Sequence, residues 1–313
     1  MGQLCSIFTK LTVLILSPLA NQIVKEHVLE CERREQDLEL IQRLGQERAH
    51  ALPFPIQKRQ RLTVQSSEII NSFRDASTSA QLEYSLCPLN AKQEAIVAYS
   101  LDESRSLTTI LACKFELTII RRDMLTLHGN NWLNNEIINF YMKMIIERSR
   151  NALNNFPDVY CFDSSFYPKL VKDGPFSTKK WTKTVNIFHH ELIFIPMHIG
   201  LHWCLICINM AEQKVVYYDS GPKSVNNCLN IIMKYLYVEY EDKQGSVLDV
   251  DNWKLESARG VPQHKHAGDC GVFVCAIAEF LSRQAPFTFT HADIPLIRKR
   301  MVVEIMIGGL LVQ

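Results

Sequence analysis

Apolar residues become regularly spaced only after about Cys87. Ile137, Tyr141, Met144 and Ile145 recur at i, i+4, i+7 and i+8, one buried helical stripe, which predicts a helix over 134–148 capped by Asn134 or Asn135. Apolar runs at 192–197, 203–209 and 214–219 have strand length, and a helix near 224–239 places Leu229, Ile232, Met233 and Leu236 on one side. From Cys270 to Leu281 the residues are apolar almost all round, the pattern of a helix buried through a domain. A last helix-like segment starts after Pro286. Strands and helices are mixed rather than alternating, which favours an α+β fold over a doubly wound sheet.

The first 86 residues read differently, as an extension ahead of a globular domain at 87–313. Leu11–Ala20 is apolar but too short to cross a bilayer as a helix. Met1-Gly2-Gln3-Leu4-Cys5-Ser6 fits the loose pattern for myristoylation at Gly2, with Cys5 a candidate for palmitoylation. Val24 to about Leu52 is charge-rich and helix-prone, and residues 53–86, with Pro53, Pro55, a basic group at Lys58, Arg59 and Arg61, and a Ser/Thr-rich stretch, read as linker.

Charge changes the picture little. With 34 basic and 33 acidic residues, nothing in the bulk electrostatics points to nucleic acid or a membrane surface. The ten cysteines are scattered, several inside apolar runs, and imply reduced thiols in the nucleus or cytosol rather than a disulfide framework.

Two β-rich segments, 202–209 and 214–219, flank a short polar turn and predict a hairpin. A turn centred between Met210 and Ala211 pairs Cys204 with Tyr217 and, at the open end, His202 with Asp219. Directly opposed residues hold their Cβ atoms about 4.5–5.5 Å apart. A carboxylate there fixes the imidazole tautomer and stabilises the imidazolium. Cys270 is expected at the N-terminus of its buried helix, where the macrodipole and free N–H groups favour the thiolate and the Cys270 N–H can face an oxyanion. Gly268 and Gly271 would let the backbone approach a substrate closely. His202, Asp219 and Cys270 are therefore candidates for base, orienting acid and nucleophile, a set needing neither metal nor cofactor. A zinc site from Cys204-x-x-Cys207, His264-x-His266 and Cys270 fits poorly, because a strand points Cys204 and Cys207 to opposite faces. Gly308-Gly309 reads as a helix stop.

His202-Trp203, Tyr218-Asp219-Ser220 and Gly268-Asp269-Cys270-Gly271 resemble the active-site blocks of the sentrin/SUMO-specific (ubiquitin-like) protease family. The resemblance extends to Asn131-Trp132-Leu133-Asn134-Asn135-Glu136, Lys180-Trp181-Thr182-Lys183 and Arg298-Lys299-Arg300-Met301, in order over roughly 87–313. It implies a papain-like α+β cysteine-protease fold and a protease that cuts after the C-terminal Gly-Gly of a SUMO-like modifier, and the chain is expected to be monomeric. It further implies that Trp132 and Trp203 wall a tunnel for that tail, with His198 on the substrate side.

Three departures stand out. His264 occupies the position where the family has a glutamine that donates to the oxyanion, with Gln263 one residue too early. Asn135 replaces a carboxylate, and Lys180 replaces an arginine and loses its bidentate fork. Two alternatives keep the groove: a catalytically weak, SUMO-binding pseudo-protease, and a protease for another ubiquitin-like modifier.

Overall fold

The computed structural model describes residues 87–151, 156–221 and 227–312. The expected leader, the Gly2 and Cys5 motif, the helix from Val24 and the linker lie outside these residues. Helices α1 (Ala91–Ser100) and α2 (Asn135–Asn151) flank a two-stranded ribbon, β1 (Ile110–Lys114) and β2 (Leu117–Ile120). A five-stranded sheet follows, built from β3 (Val159–Cys161), β4 (Leu192–Ile199), β5 (His202–Asn209), β6 (Lys214–Tyr218) and β7 (Lys254–Ser257). Helix α3 (Phe166–Asp173) falls between β3 and β4, and α4 (Cys228–Gln244) between β6 and β7. Helices α5 (Cys270–Ser282) and α6 (Ile294–Ile307) complete the α+β domain.

The sheet runs in sequence order, antiparallel at β4–β5–β6 and parallel at both outer pairs. Its central strand β5 is apolar at every inner position because both faces are covered. Trp203, Leu205 and Cys207 join one core with α2, α5 and α6, while Cys204, Ile206 and Ile208 join the other with α3 and α4. Cys204 and Cys207 thus lie on opposite faces. No helix among the described residues is long and apolar enough to cross a membrane.

Sequence boundaries shift for local reasons. Asn134, not Asn135, caps α2: its Oδ1 accepts from Ile137 N–H at 3.1 Å while its Nδ2 donates to Asp123 at 2.8 Å. Helix α4 ends at Gly245 in the left-handed region, φ 65°, and buries Cys228, Ile232, Tyr235 and Leu236. Leu229 and Met233 only edge that stripe, so the buried face is rotated from the expected one. Helix α6 waits for the turn closed by Thr290 and Asp293, then stops at Gly308, φ 66°.

Helix α5 is the spine of the domain. Val272, Phe273, Cys275 and Ala278 are completely buried, and each large apolar side chain so removed from water contributes about 1.5–3 kcal/mol. Its C-terminal end is tied by Glu279, which accepts from Arg148 at 2.6 Å and from Arg283 at 2.7 Å.

Candidate active site

The site forms where β5 begins. Gly200 and Leu201 make a two-residue turn after β4, with Gly200 at φ 62°, the region glycine enters without steric cost. His202 is therefore the first residue of β5, opposite Ile199.

The β5–β6 register differs from expectation by two residues. Leu205 pairs with Tyr218, Ile206 with Tyr217 and Asn209 with Lys214. The turn spans four residues because Asn209 Oδ1 accepts from Glu212 N–H at 3.0 Å and Gln213 takes φ 51°. An even slip keeps every side chain on its face. His202 Nε2 still meets Asp219 Oδ1 at 2.6 Å, now diagonally from the strand end.

Asp219 is buried, and burial, the largest influence, pushes its carboxyl up. Hydrogen bonds from His202, from Gly221 N–H at 2.8 Å and from the Tyr217 hydroxyl at 2.8 Å overcome this and hold it below its ordinary value. His202 moves the other way. Its bonds to Asp219 first and Cys270 second raise it to about 9 despite partial burial. Nε2 is committed to Asp219, so Nδ1 is the nitrogen left for Cys270.

Cys270 opens α5 and is 1% exposed. Burial pushes the thiols of Cys161, Cys204 and Cys275 up and that of Cys207 to about 12, which suits packing rather than nucleophilic work.

The glycines beside Cys270 act within the protein, which corrects their expected role. A Cβ on Gly268 would sit 1.9 Å from the Asn130 carbonyl oxygen, and one on Gly271 would sit 2.9 Å from Leu133 Cβ. They let the 130–133 loop close onto the helix start. In that loop Trp132 is 41% exposed. Trp203 is buried, donates from Nε1 to the Leu133 carbonyl at 3.1 Å, and carries the exposed His198 ring stacked on it at 4.5 Å.

Of the two oxyanion candidates, Gln263 turns away. Its amide donates to the Asp219 and Val261 carbonyls at 3.2 and 3.0 Å. His264 stays, its ring centroid 5.7 Å from that of His202 and its Nδ1 3.1 Å from Ser220 Oγ. Burial, then the nearby His202 charge, lowers its basicity, so it is neutral at neutral pH.

Sequence reasoning missed the roles of Tyr217 and Gly221, and it named Ser220 only within the Tyr218-Asp219-Ser220 block, without its contact to His264. A Cβ on Gly221 would stand 3.1 Å from His202 Cε1 and 3.0 Å from His264 Cε1. Glycine immediately after the Asp-Ser pair was the available signal.

A carboxylate, an imidazole and a thiol on a buried helix N-terminus, in that order of contact, define a thiol-hydrolase centre. Residues 131–307 match the Ulp1 protease family, C-terminal catalytic domain, and the chain belongs to that family. A sentrin-specific protease of Caenorhabditis elegans is 38% identical over 197 residues, 63% of this chain and 28% of that protein. Human sentrin-specific protease 2 is 39% identical over 199 residues, 63% of this chain and 33% of that protein. The chain thus spans about a third of the length of the curated relatives it matches. The solved C-terminal Ulp1 protease domain in complex with Smt3, the yeast ortholog of SUMO, superposes with a TM-score of 0.62 at 28% identity, covering 71% of this chain and 96% of that one. The Chaetomium thermophilum Ulp1-like SUMO protease catalytic domain gives 0.59 at 25% identity, covering 72% and 92%.

Proposed function

We propose that this chain is a cysteine protease and isopeptidase that cuts after the C-terminal Gly-Gly of SUMO-like modifiers. The observation that carries the reading is His202 held between Asp219 and the Cys270 thiol. The Cys270 proton passes to His202 Nδ1, and Sγ attacks the terminal glycine carbonyl. The Cys270 backbone N–H and the His264 imidazole N–H stabilise the oxyanion. His202 then returns the proton to the departing amine, breaking the C–N bond and leaving a thioester. Water, deprotonated by His202, hydrolyses the thioester and restores the thiol. Trp132 on one side and the His198–Trp203 stack on the other wall the tail, where flat apolar surfaces admit glycine and exclude a Cβ. The eight cysteines among the described residues are free thiols, which supports action in a reducing compartment, nucleus or cytosol.

The test is hydrolysis of a panel of modifier–fluorophore substrates by the purified chain. SUMO-type substrates should turn over and ubiquitin-type ones should not. Binding without turnover, or turnover of ubiquitin alone, would defeat the proposal.

A further inference from the structure

Arg298 lies on α6, far along the chain from the site, and is 3% exposed. Its guanidinium reaches three separate segments. Nη2 donates to the Asp269 carboxylate at 2.7 Å, to the Gly268 carbonyl at 2.9 Å and to the Asn131 carbonyl at 3.0 Å. Nε adds a second bond to Asp269 at 3.2 Å, and Nη1 reaches the Thr126 carbonyl at 3.3 Å. Gly268 and Asp269 immediately precede Cys270, and Asn131 immediately precedes Trp132. One side chain thus binds the residue before the exposed indole and the two residues before the thiol.

The neighbouring contacts leave this seam no slack. The missing Cβ of Gly268 is what admits the Asn130 carbonyl, and Leu133, just past Trp132, is held by Trp203 Nε1. Asp269 is itself 1% exposed, so without Arg298 a buried, unpaired carboxylate would stand beside Cys270 and oppose the anionic charge that develops there. A lysine could supply the charge but not a planar fork that serves several acceptors at once.

We infer that Arg298, through Asp269 and the Asn131 carbonyl, is the positioning residue that sets the gap between Trp132 and Cys270. It fixes where the tail's scissile carbonyl meets Sγ. This rests on the protease reading above. Displacement of a reacting pair by about 1 Å can cost about 10²-fold in rate with binding preserved.

The experiment compares wild type, Arg298→Lys and Asp269→Asn for circular dichroism, hydrolysis of a SUMO–fluorophore substrate, and iodoacetamide labelling at Cys270 followed by mass spectrometry. Both variants should fold and lose about 10- to 100-fold in kcat with KM within about threefold, and Arg298→Lys, which leaves the Asp269 carboxylate poorly paired beside the thiol, should also label Cys270 more slowly than wild type. Normal kcat and labelling in a folded Arg298→Lys would overturn the inference, as would a loss confined to KM. So would failure of both variants to fold, since the pair would then be a folding element only. Wild type that labels rapidly but cleaves nothing would count against the protease reading instead, and slower labelling in Arg298→Lys would still support the clamp.

Discussion

His202 and Asp219 meet at 2.6 Å although the β5–β6 ladder does not place them opposite each other. Asp219 lies just beyond the end of β6, and its direction is set by Tyr217 and by Gly221 N–H rather than by strand pairing. Asp219→Asn should lower kcat by up to about 10⁴, the most severe comparable case, because the amide permits the wrong imidazole tautomer. Tyr217→Phe removes a hydrogen bond to a charged carboxylate, worth about 1.5–3 kcal/mol, and should lower kcat by about 10- to 100-fold. Steady-state kinetics on a modifier–fluorophore substrate checks both.

Gly221 faces the two imidazoles across a gap too small for a methyl group. Its extra Cβ would meet His202 and His264 at 3.1 and 3.0 Å, so the rings must give by a few tenths of an ångström. Gly221→Ala should therefore cut kcat by about tenfold or more, while the melting temperature changes little. Gly268→Ala is the contrast, since its Cβ would collide with backbone at 1.9 Å, and a large loss of stability is expected.

Folding raises His202 from its ordinary 6.5 to about 9, chiefly through Asp219 and then Cys270. A base strengthened by folding adds stability that is complete below about 6.5 and is lost as pH climbs through about 9. The melting temperature of wild type should fall across that window more than that of His202→Gln. The rate profile should show its alkaline limb near 9, where the imidazolium partner of the thiolate disappears.

The oxyanion donor can be assigned by three substitutions. Ser220 Oγ lies 3.1 Å from His264 Nδ1, and with the hydroxyl as donor of that pair the ring proton would sit on Nε2, free to serve the oxyanion. His264→Ala should cost about 10²–10³ in kcat, whereas Gln263→Ala should cost far less, its amide being committed to carbonyls. His264→Gln should hold or raise kcat. A large loss in Gln263→Ala with none in His264→Ala would reverse the assignment.

The sequence disclosed what depends on local pattern. The alternation along β5 was enough to separate Cys204 from Cys207, and the all-apolar run after Cys270 was enough to bury α5. The hairpin register was not legible, because it turned on Asn209 bonding its own turn and on Gln213 accepting a left-handed conformation. Nor was the clamp at Arg298, whose acceptors lie 29 to 172 positions away and are mostly backbone carbonyls, which carry no sequence signature. Gly268 and Gly271 were visible as glycines beside a cysteine, but the partner they admit, the Asn130–Leu133 loop, became evident only with the fold.

The most direct measurement offers the purified chain two SUMO precursors, one ending in Gly-Gly before its extension and one with the penultimate glycine replaced by alanine. Products are weighed by mass spectrometry for wild type and Cys270→Ala. Wild type should cut the first precursor after its second glycine and leave the alanine form intact, and Cys270→Ala should cut neither while still binding the first. Cleavage by Cys270→Ala, or equal cleavage of both precursors by wild type, would contradict the mechanism at its nucleophile or at its tunnel.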